Sequence, residues 1–239
     1  MFLGDIKFEK ERFRKKYPFN LSCFKNVKSI SLKSNVTFFV GENGSGKSTL
    51  LENIAFLCGY NVLGGSKNHL TGKVSDNLEL SDAMRLSWKL KPKHGFFFRA
   101  ESYFNFASYI DEIAKDDKSI WDAYGGKSLH HQSHGESFLT LFQTRFCNIK
   151  GFYILDEPEA ALSPQRQLTF LKIINDLDKS GKAQFIIATH SPIVLAYPKA
   201  NIFSLDNDKI SRISYEETEH YQLTKNFMEN PERYFRHLF

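Results

Sequence analysis

Val36-Thr37-Phe38-Phe39-Val40-Gly41-Glu42-Asn43-Gly44-Ser45-Gly46-Lys47-Ser48-Thr49-Leu50-Leu51 is the stretch that decides the reading of this chain. Its first five residues are apolar, β-branched or aromatic, the composition of a short buried strand. Gly41 to Ser48 fills every constrained position of the pattern G-x-x-x-x-G-K-[ST]. The residues from Thr49 to Phe56 then show helical apolar spacing. Strand, glycine loop and helix in this order are the context in which the pattern holds phosphate. A chance glycine turn before an ordinary helix would leave all these coincidences without a cause.

The residue types fit that chemistry one by one. Glycines allow the φ values of a tight loop and leave no Cβ between backbone amide and anion. Backbone N–H groups and the helix N-terminus then face the phosphates. Lys47 is placed to reach the β- and γ-phosphates, and the Ser48 hydroxyl to ligate Mg²⁺. With Gly41, Asn43, Gly44, Ser45, Gly46 and Thr49 they make the nucleotide-binding set, with ATP and Mg²⁺ as the expected ligands.

Composition sets the bounds around this loop. The 239 residues suit one α/β domain or one domain with a small appendage. A net charge of +5 permits a polyanionic partner without requiring one. Cys23, Cys58 and Cys147 are far apart and form no C-x-x-C pair, which suggests free thiols in a reducing cytosol. The start of the chain is charged and lacks the apolar core of a signal peptide. No apolar run approaches the ~20 residues of a membrane helix. These features lead us to expect a cytoplasmic chain with no integral membrane segment. Lys10 to Lys16 holds five basic residues, read first as a solvated face and second as a nucleic-acid contact. Tyr17, Phe19 and Phe24 are the candidates to stack on adenine, and Phe96-Phe97-Phe98 belongs either to the core or to a partner surface.

Phe152-Tyr153-Ile154-Leu155-Asp156-Glu157 is an apolar strand ending in two carboxylates. Side chains alternate along a strand, so the two acids are expected to point apart. Asp156 is expected at the Mg²⁺, and Glu157 is expected to orient and deprotonate an attacking water. A further strand, Phe185 to Ala188, leads to Thr189-His190-Ser191-Pro192. A histidine there is ordinarily structural. Downstream of the glycine loop and the Asp-Glu pair, His190 is expected at the γ-phosphate or the attacking water. Glu157 and His190 are thus the catalytic candidates.

On these motifs the chain resembles the ABC-type ATPases, the class of transporter motors and of SMC and RecF-like DNA ATPases. Gln132-Ser133-His134-Gly135-Glu136 looks like a variant of that family's Leu-Ser-Gly-Gly-Gln signature. The resemblance implies that Ser133 and Gly135 bind the γ-phosphate of ATP held by an opposite subunit, in an ATP-dependent homodimer, and it places Glu136 with them in the nucleotide-binding set. It also implies that Ala161-Leu162-Ser163 is the D-loop connecting the two sites. Together with Ile154 to Gln165, Phe185 to Pro192 and Asn230-Pro231-Glu232-Arg233-Tyr234, the Ser-His-Gly-Glu-Ser segment is similar to small bacterial stand-alone ATPases often labelled AAA-family. The family's Q-loop glutamine has no counterpart, because no glutamine lies between Leu51 and His131. Glu101, in Phe98-Arg99-Ala100-Glu101-Ser102, is the candidate to complete the metal site with Ser48 and Asp156. His130-His131-x-x-His134 lacks a fourth ligand of suitable spacing for a zinc site.

The implied fold is α/β, a P-loop NTPase of ABC-ATPase type. Its central sheet is mainly parallel and flanked by helices, with an antiparallel β portion and a short helical subdomain. The expected organisation is a single domain over 1–239 with a lobe-like helical insertion at approximately 101–148. About 85 residues separate the glycine loop from the signature, and their periodicity shows no coiled coil. Three functions remain open at this point. The first is an ATP-sandwiched dimer that hydrolyses ATP and drives a conformational switch. The second is an ATP-gated module that binds DNA, RNA or an effector protein in repair or defence. The third, disfavoured by the unusual signature, is a membrane-transporter motor.

Overall fold

A computed structural model describes residues 1–62, 76–124, 126, 128, 130, 134–145 and 149–239. Ser133, Cys147, His131 and most of the Gly59–Leu80 segment lie outside the described residues. Two sheets organise the chain. The smaller is antiparallel, in the order β2 (Ser29–Ser31), β1 (Leu3–Phe8), β4 (Met84–Trp88). The larger has the order β5 (His94–Arg99), β6 (Gly151–Asp156), β7 (Ala183–Ala188), β3 (Val36–Val40), β8 (Asn201–Ser204), β9 (Ser211–Ile213). All its neighbouring strands run parallel except β9, which returns antiparallel to β8. The helices are α1 (Ser22–Lys25), α2 (Lys47–Cys58), α3 (Tyr103–Ile113), α4 (His134–Arg145), α5 (Pro164–Lys179), α6 (Pro192–Leu195), α7 (Glu219–Glu229) and α8 (Pro231–Leu238). The fold is therefore the α/β fold of ABC-type P-loop ATPases, with a mostly parallel sheet, an antiparallel sheet and flanking helices.

Alternation along the buried strands divides the core in two. Val36, Phe38, Phe96, Phe98, Tyr153, Leu155, Phe185 and Ile187 face α4 and α5. Phe39, Phe97, Phe152, Ile154, Ile186 and Ala188 face α2 and the antiparallel sheet. Both faces are covered, which is why these strands read as continuous apolar runs. Phe96, Phe97 and Phe98 are 4%, 0% and 2% exposed and belong to the core, which removes the partner-surface reading. The layers are stitched by Gln184, fully buried on β7. Its Oε1 accepts from the N–H groups of Phe2 and Leu3 at 2.6 and 2.8 Å, and its Nε2 donates to the Leu3 carbonyl at 2.9 Å.

The basic run near the N-terminus is largely engaged within the chain. Arg14 pairs with Glu79 and Asp82, Lys16 with Glu79, and Arg12 with Glu9. Lys10 donates to the Phe24 carbonyl. Among the described residues, no helix is long and apolar enough to cross a membrane, and the longest helix, α5, has 16 residues.

Candidate active site

Register brings the site together. Phe39 of β3 and Asp156 of β6 both lie level with Ala188 of β7, so three adjacent parallel strands end on one edge. Parallel sheets place ligand sites at the carboxyl ends of their strands. Here β3 delivers the glycine loop, β6 delivers Asp156 and Glu157, and β7 delivers His190. The strand β5 adds Arg99, paired in register with Asp156.

The loop is shaped by glycine. Gly41, Gly44 and Gly46 have φ of 150°, 82° and 102°, and a Cβ on Gly41 would lie 2.7 Å from Ser45 Oγ. Gly46 is the N-cap of α2, so the helix starts where the loop ends. Lys47 is buried, and its Nζ donates to the Gly41 and Glu42 carbonyls at 2.6 and 2.9 Å. Burial lowers its pKa, opposed by the charges of Glu157 and Asp156. A cleft of ≈ 240 Å³ opens beside it, lined by Tyr17, Leu21, Asn43, Gly44, Gly46, Ser48, Thr49 and Glu157. Of the three aromatics considered for adenine, Phe19 and Phe24 are buried in the core and Tyr17 alone lines this cleft. The Tyr17 hydroxyl is held 2.9 Å from Thr49 Oγ1.

Ser48 Oγ donates to Asp156 Oδ1 at 3.3 Å. Asp156 is 3% exposed, and burial pushes its carboxyl up to about 6, against the lowering effects of Ser48 and Arg99. These are hard oxygen donors, and with Glu101 they share one recess. Mg²⁺ commonly takes only one or two protein carboxylates and completes its shell with water and substrate phosphate. The pair Ser48 and Asp156 fits that demand. Among the described residues no cluster of three or more His, Cys, Asp or Glu offers a self-sufficient metal cage. Glu101 is exposed and bound to Arg99 Nη2 at 2.9 Å. The same guanidinium pairs with the buried Glu52 of α2 and lies 3.9 Å from Asp156 Oδ2. Sequence reasoning did not find Glu52, because a carboxylate in a helix carries no pattern that separates it from a surface charge.

The expected strand alternation of the two acids needs correcting. β6 ends at Asp156, and Glu157 follows in the left-handed region at φ 51°, ψ 50°. A backbone turn, not pleating, separates the two carboxylates. Left-handed conformation in a non-glycine residue is a strain found often at functional positions. It brings Glu157 Oε1 to 3.4 Å from His190 Nε2. The His190 backbone N–H donates to the buried Glu159 carboxylate at 2.6 Å, and its Nδ1 lies 2.8 Å from Nε2 of His220. Burial, then Lys47 and His220, lowers the His190 pKa, and burial likewise lowers that of His220. His220 was also missed in the sequence. It lies 30 residues beyond His190, and only the Thr218 cap before it signals anything, namely a helix start.

The signature-like residues stand elsewhere. A Cβ on Gly135 would lie 2.8 Å from the Ala161 carbonyl, so the start of α4 packs directly on the segment read as the D-loop. Glu136 pairs with Arg166 of α5 at 3.3 Å. Neither Gly135 nor Glu136 is among the described residues lining the cleft beside Lys47. His130 Nε2 is 3.0 Å from Ser108 Oγ, and the rest of the three-histidine segment falls outside the residues whose side chains are described.

The fold is that of the ABC-type P-loop ATPases. The chain belongs to the AAA domain family, whose sequence model matches residues 19–230. Among curated proteins it is similar to the tungstate uptake system ATP-binding protein TupC of Campylobacter jejuni, 24% identical over a 232-residue alignment that covers 87% of this chain and 69% of that protein. Among solved structures it is similar to a nucleotide-free ATP-binding cassette from an ABC transporter (18% identity, TM-score 0.53, 97% of each chain). It is also similar to an Smc head bound to the C-terminal winged-helix domain of ScpA (17% identity, TM-score 0.50, 90% of this chain and 99% of that one).

Proposed function

We propose that the protein hydrolyses ATP to ADP and phosphate in a Mg²⁺-dependent reaction, as a head-to-tail homodimer whose nucleotides lie between the loop of one copy and the Ser133–Glu136 segment of the other. The observation that carries this reading is the convergence of Lys47, Ser48, Asp156, Glu157 and His190 on one sheet edge, with Glu157 3.4 Å from His190. The glycine loop and Lys47 bind the phosphates. Ser48 and Asp156 would hold Mg²⁺, which supplies charge neutralisation at the phosphates when bound. Glu157 accepts a proton from the attacking water, whose oxygen bonds to the γ-phosphorus as the bond to the β–γ bridging oxygen breaks and ADP leaves. His190 presents an imidazole to the developing charge on the transferred phosphoryl group. Conversion of ATP to ADP removes the γ-phosphate contacts shared between copies and reopens the pair.

The unit that does this is read as one domain over 1–239, with the helical insertion at approximately 101–148 carrying the signature variant. We place it with the small stand-alone cytoplasmic ATPases, where hydrolysis drives a conformational switch. A second reading, the motor subunit of a transporter, is favoured by the name of TupC. Against it stands Arg99, whose charge occupies the region where a Q-loop glutamine is expected. Phosphate release from MgATP by wild type and by Glu157→Gln tests the hydrolytic assignment. Turnover by the wild type and near-complete loss in the variant is expected, and equal rates would remove Glu157 from the chemistry.

A further inference from the structure

We propose that His220 is a positioning residue that fixes His190 as a hydrogen-bond donor toward Glu157 and the phosphates; this deepens the catalytic reading above and rests on it. Three groups stand in a row. Glu157 Oε1 lies 3.4 Å from His190 Nε2, and His190 Nδ1 lies 2.8 Å from His220 Nε2. The rings meet edge to face, with centroids 4.9 Å apart.

A neutral imidazole has one donor and one acceptor nitrogen, and only one hydrogen fits between the two rings. If His190 supplied it, the lone pair on its Nε2 would face the Glu157 carboxylate. The far nitrogen of His220 would then be an N–H. That nitrogen, Nδ1, is buried and has no hydrogen-bond partner among the described residues. A buried unpaired N–H is the costlier orphan. If His220 supplies the hydrogen from Nε2, both conflicts vanish. His190 then carries its proton on Nε2, aimed into the site, and His220 Nδ1 is a bare lone pair. His190 Nε2 is itself buried, and among the described residues it has no partner closer than the Glu157 carboxylate at 3.4 Å, as suits a donor kept for an incoming oxygen.

The surroundings keep this pair neutral and in place. His190 faces Lys47 and Glu157, with Glu159 on its backbone N–H, and His220 has Lys47, Asp206 and Glu219 around it. Burial is the first cause of the lowered pKa in both rings. The start of α7 is fixed from both sides. Thr218 Oγ1 accepts from the Tyr221 N–H at 3.4 Å, and the Tyr215 hydroxyl donates to the Pro192 carbonyl at 2.9 Å, just beyond His190.

Long-range ¹⁵N–¹H spectra of the wild-type protein labelled at its imidazole nitrogens read the tautomer directly. His190 protonated at Nε2 is expected, and protonation at Nδ1 would overturn the proposal. His220→Ala is expected to lower kcat by roughly 10–100-fold, the range seen when the group orienting a functional histidine is lost. KM for ATP should stay within about twofold, since the contact acts on turnover rather than on binding. His220→Gln, whose amide N–H can replace the donor, should recover most of the rate. Wild-type kcat in His220→Ala, with Glu157→Gln inactive, would overturn the proposal alone. Full turnover by Glu157→Gln would overturn the catalytic reading beneath it.

Discussion

The carboxylates of Asp156 and Glu157, one peptide bond apart, serve different partners. Asp156 is buried and receives the Ser48 hydroxyl at 3.3 Å, whereas Glu157 turns away through a left-handed backbone to stand 3.4 Å from His190. In the proposed reaction this division gives one acid to the metal and the other to the water. It also stores free energy, because a buried carboxylate and a left-handed glutamate both weigh against folding.

Asp156→Asn is therefore expected to stabilise the nucleotide-free protein while abolishing hydrolysis. Between 3.8 and about 6 the folded protein keeps a proton that the unfolded chain has released. The stability contributed by Asp156 is thus full below 3.8 and lost as pH rises through about 6. Replacing the carboxylate at pH 7.5 in chelator should raise stability by on the order of 1–3 kcal/mol. Urea denaturation measures it, and a lower midpoint for the variant would count against the buried charge.

The two histidines give the opposite slope. His190 and His220 are held below their ordinary 6.5, so the unfolded chain takes up protons that the folded one resists. Their contribution is present above 6.5 and is lost as pH falls through the folded values. Glu159, raised by burial, tilts stability the other way above 4.5, so the histidine term must be isolated by difference. Melting curves between pH 5 and pH 8 for wild type and the His190→Gln/His220→Gln double variant should converge at the acid end.

Arg99 pairs with the buried Glu52 of α2, the helix that follows the glycine loop. Removing one member of a buried ion pair leaves an uncompensated charge and costs ~3–5 kcal/mol. Arg99→Ala should approach the lower end, since the guanidinium is partly exposed, and Arg99→Ala/Glu52→Gln should recover much of the loss. Denaturation midpoints of the single and double variants decide this.

Tyr17 offers a ring at the mouth of the cleft. If it stacks on adenine, Tyr17→Ala loses ~1–3 kcal/mol of ATP affinity, the scale of base–aromatic stacking. Tyr17→Phe should bind nearly as wild type, and inorganic triphosphate should not distinguish Tyr17→Ala from wild type. Equilibrium titration of both ligands checks the pattern.

The parts legible in the sequence were those whose function constrains neighbouring residues. The loop from Gly41 to Ser48 needs its glycines, and the strands before it and before Asp156 need unbroken apolar runs. The parts that were not legible depend on distant pairing. Nothing near Arg14 or Lys16 announces Glu79 and Asp82, which meet them across more than 60 residues of chain. Nothing near His190 announces His220, and nothing near Glu52 announces Arg99. Glu157 shows a third kind of failure. Pleating predicted that it would diverge from Asp156, which it does, but a single left-handed residue rather than the strand period is responsible.

The most direct test of the central claim, that ATP is held between two copies, is the solution mass of Glu157→Gln with saturating MgATP and with MgADP. The account predicts a dimer with MgATP, a monomer with MgADP, and loss of the dimer when Ser133→Arg is added. A protein that remains monomeric with MgATP, while binding the nucleotide, would contradict it.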